Sequence, residues 1–293
     1  MSNLTNIQNL LDDISQENNI RIIIASECGS RAYGLSSNTS DYDIRFVYVH
    51  KDKSKYNEYL ELQRTNSKKK LGRVDVDYYD NIEQKTITGK KKTKRNKYDW
   101  HGWDITKAVQ HLKEMNPSIV EWVFSPIVYV NDPKYNFLDK SKDLLSSQNR
   151  ILPLLKHYRS MARRHYEEYV DEKCEVRIKK YLVMVRCCGM IKWLLKCKRD
   201  DEIQIDFIEV LNDIKPFTGK YLMEKIHLLI EKKRESQDKH DCMNRIKVLD
   251  SWISFYINDQ GQNFERIKLK ECDIEEPNNA PYSRFIFKCI NGS

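Results

Sequence analysis

Apolar residues recur at helical and strand-like spacings over the first part of the chain. Residues 1–16 space them as an amphipathic helix does, and so do residues 104–115, where Asn116 and Pro117 are expected to end the helix. Other segments are continuously apolar or alternate apolar with polar residues. The sequence predicts strands there: 20–25, 42–49, 74–79 and 98–103.

The pattern becomes helical from about residue 141. Periodic apolar residues predict helices within 152–169, 176–196, 207–211, 221–234 and 246–256. The polar tail contains one apolar patch, 285–290, which we expect to pack back on the body as a strand. These elements predict an α+β fold: a mixed-sheet domain over residues 1–140, then a helical domain with a C-terminal tail over 141–293.

The composition is typical of a globular chain with a heavily charged surface, since 40% of the residues are hydrophobic and 32% are charged. No run of about eighteen apolar residues occurs, so we expect no membrane partner. The N-terminus lacks the pattern of a signal peptide. Eight cysteines are present without any CxxC spacing. Reduced thiols in the cytoplasm or nucleus are therefore the expected state.

Positive charge is concentrated in two segments of a chain whose net charge is +8. Residues 85–97 (KTITGKKKTKRNK) contain seven basic residues and no acidic one, and residues 68–73 add four more. A solvated, mobile loop is one interpretation of such a run. Contact with the phosphates of a nucleic acid is the other, and the sequence leaves both open.

Asp41 and Asp43 are the first candidate catalytic residues. They lie two apart in a predicted strand, and the two-residue period of a strand places both carboxylates on one face. Adjacent carboxylates repel, so one of them would tend to protonate in water. A divalent cation removes this penalty, and magnesium favours one or two carboxylates completed by water and substrate phosphates. The pair therefore indicates a site for Mg²⁺ (or Mn²⁺).

Gly29 and Ser30 stand upstream, where a predicted strand gives way to a turn or short helix. Glycine lets the backbone approach a ligand closely, and the backbone N–H groups at a helix start suit a phosphate, as does the Ser30 hydroxyl. Each feature by itself is common in turns and on exposed strands. A phosphate cradle followed by paired carboxylates, in this order, indicates a phosphoryl-transfer site.

The same residues resemble a known family. Gly29-Ser30, Gly34 and Ser40-Asp41-Tyr42-Asp43 match the signature of DNA polymerase beta-type nucleotidyltransferases. The segments ECGSRAYG and SDYDIRF, within 27–46, are more closely similar to the RNA repair pathway DNA polymerase beta family. The resemblance covers roughly residues 20–215. Cys28 stands where the family usually has a small residue such as serine, and the lysine-rich segment before Asp99 is not one of its recognisable features.

The family's site has a third carboxylate on a neighbouring strand, between apolar residues. The resemblance implies Asp99, which lies between Tyr98 and Trp100. Asp75 and Asp77 fit the same local pattern and stay alternatives. Asp104 is instead expected to begin the next helix, where a carboxylate interacts favourably with the helix dipole.

The resemblance also implies a reaction: transfer of a nucleoside monophosphate from an NTP to an acceptor hydroxyl, with release of pyrophosphate. Asp41, Asp43 and Asp99 would hold the divalent ions, and Gly29 with Ser30 would cradle the terminal phosphates. Further nucleotide contacts are expected from basic residues near the motifs and in the helical region: Arg31, Lys180 and Arg186. Arg31 and Arg45 could each contact phosphate or pair with a carboxylate.

Three functions are compatible with these residues. The first, which we expect, is nucleotide addition to an RNA 3′ end, such as that of a tRNA or a damaged RNA. The second is nucleotidylation of a protein or small-molecule hydroxyl, of an antitoxin-like or antibiotic-modifying type, with the same catalytic residues. The third is RNA binding on a catalytically decayed scaffold, which the intact Gly-Ser and Asp-x-Asp motifs argue against.

Overall fold

The computed structural model describes residues 3–37, 39–57, 86–93, 97–148, 151–170, 174–197, 203–236, 240–258 and 279–292. The strand expected at 74–79, with Asp75 and Asp77, lies outside these residues, as does the basic segment 68–73. The chain folds into two compact units. The first combines Met1–Cys28, Asp41–Asn149 and Glu276–Ser293, and the second combines Gly29–Ser40 and Arg150–Glu275. The domain boundary at residue 140 stays a prediction.

The described elements follow the alternating pattern and then the helical one. The helices are α1 (Asn3–Glu17), α2 (Gly29–Ala32), α3 (Ile105–Lys113), α4 (Pro117–Val123), α5 (Phe137–Gln148), α6 (Leu152–Tyr169), α7 (Ile178–Lys196), α8 (Phe207–Ile214), α9 (Lys220–Glu235), α10 (Lys247–Ile257) and α11 (Asn279–Asn291). The strands are β1 (Ile20–Cys28), β2 (Tyr42–His50), β3 (Thr86–Lys92), β4 (Lys97–Asp104), β5 (Val128–Asn131), β6 (Glu175–Arg177) and β7 (Cys242–Asn244). None of the helices in the described part of the chain is long and apolar enough to cross a membrane.

A five-stranded mixed sheet forms the frame of the first unit, in the order β3-β4-β2-β1-β5. β2 and β4 are parallel, whereas β1 runs antiparallel to both β2 and β5, and β3 runs antiparallel to β4. The strands expected at 20–25, 42–49 and 98–103 are confirmed, with extensions of three, one and two residues. The α+β class is confirmed as well.

The alternation along β2 separates a core face from a polar face. Tyr42, Ile44 and Phe46 are buried in one cluster with the apolar side of α1 and with Tyr98 of β4. The Tyr42 and Tyr98 rings stack with their centroids 5.3 Å apart. Because successive side chains of a strand point to opposite faces, the residues between them lie on the other side of the sheet. Asp43 is one of these.

Capping residues begin the helices that follow β4. Asp104 is buried, and its carboxylate accepts hydrogen bonds from the Thr106 backbone N–H at 2.9 Å and from the Tyr56 hydroxyl at 2.6 Å. It therefore caps α3, as expected. α3 ends at Lys113, three positions before Asn116, and Asn116 and Pro117 begin α4, where Asn116 accepts a hydrogen bond from the Ser118 N–H.

The second unit contains α2 and a group of helices, α6 to α10, with β6 and β7 paired as a short ribbon. α7 is buried on nearly all sides because it contacts α6, α8, α9 and α10. The helices expected between residues 152 and 256 are confirmed. The ribbon was not predicted, since three-residue strands leave almost no periodic pattern.

Two expectations are corrected. Within the lysine-rich segment 85–97, Thr86–Lys92 form a strand, β3, rather than a loop, because their backbone pairs with β4. The tail patch at 285–290 is helical, not a strand. The buried residues of α11 show why, since they recur at the spacing of one helix face: Tyr282, Phe285, Ile286, Cys289 and Ile290.

Candidate active site

The two strands that carry candidate catalytic aspartates run side by side. The parallel register of β2 and β4 sets Asp43 opposite Asp99 and Arg45 opposite His101. Residues opposite each other in neighbouring strands project from the same face of a sheet. Asp43 and Asp99 therefore emerge together, on the face away from the core cluster with α1.

The guanidinium group of Arg45 joins these two carboxylates. Its Nη2 lies 3.4 Å from Asp43 Oδ1, and its Nη1 lies 3.2 Å from Asp99 Oδ1. Nη1 also donates hydrogen bonds to the backbone carbonyls of Ile44 and Asp99. One cation thus contacts both carboxylates and offsets their mutual repulsion. Of the two roles considered for Arg45, the structure shows pairing with carboxylates.

Asp99 has a second cationic neighbour in Lys90, which lies opposite it on β3. The Lys90 Nζ lies 3.0 Å from Asp99 Oδ2. Partial burial is the largest single influence on the pKa of Asp99 and raises it. The hydrogen bond from Lys90 and the charge of Arg45 together outweigh burial and leave that pKa below its ordinary value. Asp99 is thereby ionised at neutral pH.

Asp41 lies just before β2 and faces a different cation. Its Oδ1 lies 3.8 Å from the Nζ of Lys97, and both side chains are about half exposed. Lys97 begins β4, two residues before Asp99. The three predicted carboxylates, called the carboxylate site below, thus consist of a bridged pair and a third acid held at a separate lysine.

A buried carboxylate on β1, that of Glu27, supports Asp43. Its Oε1 accepts a hydrogen bond from the Asp43 backbone N–H at 2.8 Å, and its Oε2 accepts one from the Tyr129 hydroxyl of β5. The Ser125 hydroxyl donates to the Glu27 backbone carbonyl at 2.6 Å. Glu27 is fully buried, so these bonds fix the start of β2 without exposing a further acid to the substrate.

The carboxylate site fits a divalent cation in its donor chemistry. Carboxylate oxygens are ligands that Mg²⁺ prefers, and Arg45 shows that one cation reaches both Asp43 and Asp99. Within the described ranges, no group of three or more His, Cys, Asp or Glu side chains is gathered closely enough to hold a metal. Asp41 would have to turn from Lys97 to complete the set.

Two other ionisable residues lie beside the bridged pair, and neither suits proton transfer. Cys28 lies opposite Asp43 on β1, and burial, with the nearby charge of Glu121, raises the pKa of its thiol. His101 accepts a hydrogen bond at Nε2 from the Trp103 indole N–H at 2.7 Å. Burial, together with the charge of Arg45, lowers the pKa of this imidazole, so it is neutral and already engaged.

The Gly-Ser motif belongs to the second unit, where it opens α2. Gly29 has φ 67°, a left-handed conformation that glycine adopts at little cost at this strand-to-helix turn. Gly34 has φ 69°, and a Cβ there would lie 2.7 Å from Asp206 Oδ1. Arg31 donates from Nη2 to the Ser40 carbonyl at 2.8 Å. Both glycines of the signature are therefore required by the backbone of this segment.

The two basic residues expected on α7 lie in different surroundings. The Arg186 side chain is buried, and its guanidinium carbon lies 3.4 Å from the centroid of the Tyr33 ring. Tyr33 stands between the two signature glycines in the sequence. The Lys180 Nζ lies 4.6 Å from the centroid of the Tyr169 ring and is half-buried. The nearby Tyr181 is a core residue whose hydroxyl donates to Asp250 at 2.8 Å. Nucleotide contact by Arg186 and Lys180 stays a prediction.

A comparison with protein families shows to which family the chain belongs. A model of the RNA repair pathway DNA polymerase beta family matches residues 4–280. The chain belongs to this family. It is accordingly a nucleotidyltransferase, and the resemblance seen over residues 20–215 extends to nearly the whole chain.

Two individual proteins are similar to this member of the RNA repair pathway DNA polymerase beta family. The uncharacterized protein YcgL of Bacillus subtilis (strain 168) is 27% identical over 270 residues, which are 91% of each chain. A crystal structure of a nucleotidyltransferase-like protein from Exiguobacterium sibiricum 255-15 is 12% identical. The match covers 99% of this chain and 90% of that one with a TM-score of 0.31, too loose to transfer any feature.

For this member of the RNA repair pathway DNA polymerase beta family, the structure brings together Asp43 and Asp99, whereas Asp41 lies in an ion pair with Lys97. Asp104 is occupied as a helix cap. Lys90 and Glu27 were missed as parts of the site. Glu27 precedes the Gly-Ser motif by two residues, but nothing in a single sequence tells that its carboxylate binds the backbone of Asp43.

Proposed function

We propose that this nucleotidyltransferase adds a nucleoside monophosphate from an NTP to the 3′-hydroxyl of an RNA, such as a tRNA-like end. The acceptor oxygen forms a bond to the α-phosphorus, the bond from that phosphorus to the bridging oxygen of the β-phosphate breaks, and pyrophosphate leaves. The proton of the acceptor hydroxyl passes to solvent water in the same step. The reaction class follows from the family, whereas the acceptor and the residue roles are our proposal.

The register that sets Asp43 beside Asp99 is the observation that carries the proposal. Carboxylates at opposite positions of neighbouring strands repel each other, and in this chain Arg45 contacts both and offsets that repulsion. A purely structural pair would gain little from such an arrangement on a partly exposed sheet face. An arrangement that draws cations to one place suits the transfer of a polyphosphate.

The carboxylates and their supports are assigned different roles. Asp41, Asp43 and Asp99 would hold Mg²⁺ or Mn²⁺, whose bound form neutralises phosphate charge and lowers the pKa of an attacking hydroxyl. Arg45 keeps the Asp43 and Asp99 side chains together, and Glu27 fixes the backbone from which Asp43 projects. In the second unit, we assign phosphate contacts of the NTP to Gly29, Ser30, Arg31, Lys180 and Arg186.

RNA is the acceptor favoured by two observations. The family to which the chain belongs is named for an RNA repair pathway. In addition, lysines of β3 and β4 lie on the same face of the sheet as Asp99. Transfer to a protein or small-molecule hydroxyl would not require these lysines beside Asp99.

The test is transfer of label from each α-labelled NTP, with Mg²⁺ or Mn²⁺, to total RNA and to total protein. Asp43→Asn and Asp99→Asn are measured beside the wild type, and each should abolish labelling while the protein stays folded. Asp12→Asn is the matched control, because Asp12 is an exposed acid on α1, which covers the other face of the sheet. It should label as the wild type does.

Each outcome has a definite meaning. Label in RNA that both site variants lose and the control keeps would support the proposal, and the preferred NTP would identify the nucleotide added. Label in protein with the same variant pattern would replace RNA by a protein acceptor. Labelling that persists in Asp43→Asn and Asp99→Asn would remove these residues from the reaction.

A further inference from the structure

The edge strand β3 presents a row of polar and basic residues on the carboxylate side of the sheet. Its antiparallel register sets Thr88 opposite His101, Lys90 opposite Asp99 and Lys92 opposite Lys97. Thr88, Lys90 and Lys92 are exposed, and alternate residues of a strand share a face. Lys91 lies opposite Tyr98, a core residue, and therefore belongs to the other face.

Among the described residues, the positive charge on this face exceeds the charge of the neighbouring acids. Lys90 pairs with Asp99 and Lys97 pairs with Asp41. No acidic side chain among the described residues lies within ion-pair distance of Lys92, which instead lies directly opposite Lys97. Like charges at opposite positions of an antiparallel pair destabilise a sheet when nothing lies between them. An anion bound over β3 and β4 would remove that cost.

We propose that Lys90, Lys92 and Lys97, named here the lysine face, bind backbone phosphates of the RNA acceptor and lead its 3′ end to the carboxylate site. The proposal rests on the proposed function and adds the surface that recognises the acceptor. Side chains two apart on a strand are separated by about 7 Å, and lysine carries its charge on a flexible stem. The lysine face therefore binds phosphates without reading bases.

The arrangement also explains why two of the three lysines contact catalytic acids. Lys90 and Lys97 lie between Lys92 and the carboxylates Asp99 and Asp41, so a phosphate on the lysine face competes with those acids for the same ammonium groups. Binding of the acceptor strand then releases carboxylate oxygens at the time when the reaction needs them. The hydroxyl of Thr88 continues the row as a neutral donor to a phosphate oxygen.

The test compares RNA binding by three variants of the full chain as salt is varied, with a fluorescently labelled single-stranded RNA. Lys92→Ala should lower the slope of log K against log salt by about 0.7, and Lys90→Ala/Lys92→Ala by about 1.4. At physiological salt the double variant should bind about ten-fold more weakly. Lys91→Ala is the matched control, from the same strand but the opposite face, and should keep the wild-type slope.

An equal effect of Lys91→Ala and Lys92→Ala would overturn the lysine face, because charge anywhere on β3 would then suffice. Wild-type folding of each variant is checked by thermal unfolding. Label transfer separates this failure from failure of the proposed function. If RNA is labelled but Lys91→Ala and Lys92→Ala bind RNA with the same salt dependence, only the lysine face is contradicted. If the label appears in protein while RNA binding still depends on Lys92 and not on Lys91, only the proposal that RNA is the acceptor is contradicted.

Discussion

Arg45 determines how the carboxylates of the bridged pair coexist. It provides a permanent positive charge between Asp43 and Asp99, and it also binds two backbone carbonyls. A guanidinium with several partners is held in one geometry, so the pair is preorganised at modest entropic cost. The remaining cations, Lys90 and Lys97, sit on long exposed side chains and exchange partners easily.

Removal of Lys90 should raise the pKa of Asp99. Lys90→Ala deletes the hydrogen bond that lowers this pKa and leaves the effect of burial in place. A carboxyl with a lowered folded-state pKa stabilises the fold above its unfolded value, near pH 4, and loses that contribution as the pH falls through the folded-state pKa. Carbon-13 NMR titration of Asp99 measures the shift. Lys91→Ala should leave it unchanged, and an unshifted Asp99 in Lys90→Ala would contradict the contact.

Replacement of Glu27 should distinguish its hydrogen bonds from its charge. Glu27→Gln keeps an acceptor for the Asp43 N–H and an amide that can donate to the Tyr129 oxygen. Glu27→Ala removes both hydrogen bonds, and the loss of each should lower the free energy of unfolding by about 1–3 kcal/mol. Urea unfolding gives the stability, and the Mg²⁺ concentration for half-maximal activity reports the position of Asp43. Equal behaviour of the two variants would show that the bonds do not position β2.

At the level of elements, the close pairing of β4 with β2 depends on the absence of a side chain at Gly102. A Cβ at this position would lie 2.0 Å from a ring carbon of Phe46, which is fully buried. The ring cannot retreat into solvent, so β4 would have to shift against β2. The register of these strands sets Asp43 beside Asp99. A side chain at position 102 would therefore change the positions of the two carboxylates relative to each other.

Gly102→Ala should therefore lower both stability and activity. Overpacking of this kind costs about 1–3 kcal/mol, and nucleotide transfer should fall because Asp99 moves with β4. Gly219→Ala is the comparison, since its Cβ would meet no heavy atom within 4 Å; as a helix-capping position it should lose less than about 1 kcal/mol. Chemical denaturation and initial rates measure the two effects. Wild-type activity in Gly102→Ala would show that β4 tolerates the shift.

The elements that sequence analysis found are those with a strong local pattern. β1, β2 and α7 carry continuous or periodic apolar residues, and the two-residue period of β2 predicts the face on which Asp43 lies, whereas Asp41 lies just before that strand. β3 could not be found in this way, because a lysine run has low strand propensity and is held by pairing with β4. The family resemblance suggested Asp99 as the third carboxylate, whereas its place beside Asp43 depends on a parallel pairing between distant segments.

At the scale of the whole molecule, the first unit is assembled from separate parts of the chain. α11 contacts α3, α5 and β2, although more than a hundred residues separate it from them in sequence. Its Phe285 ring lies 5.3 Å from the Phe137 ring of α5, centroid to centroid, and both side chains are buried. The helix is thus a structural part of the unit that holds the carboxylate site.

Truncation of one aromatic ring in α11 should test this role. Phe285→Ala removes a buried ring and should destabilise the protein by about 3–5 kcal/mol. Phe287 lies on the same helix with 47% of its surface exposed, so Phe287→Ala should cost far less. Thermal unfolding of both variants gives the difference. Similar melting temperatures would mean that α11 does not stabilise the first unit.

The placement of α11 has a consequence for synthesis on the ribosome. Translation delivers β1 to β5 and α2 early, then the remainder of the second unit, and α11 after every other described element. Until that moment α3, α5 and β2 lack the helix that packs against them. A nascent chain stalled before residue 279 would therefore expose an apolar surface to chaperones and proteases. Full assembly of the first unit therefore waits for the synthesis of α11.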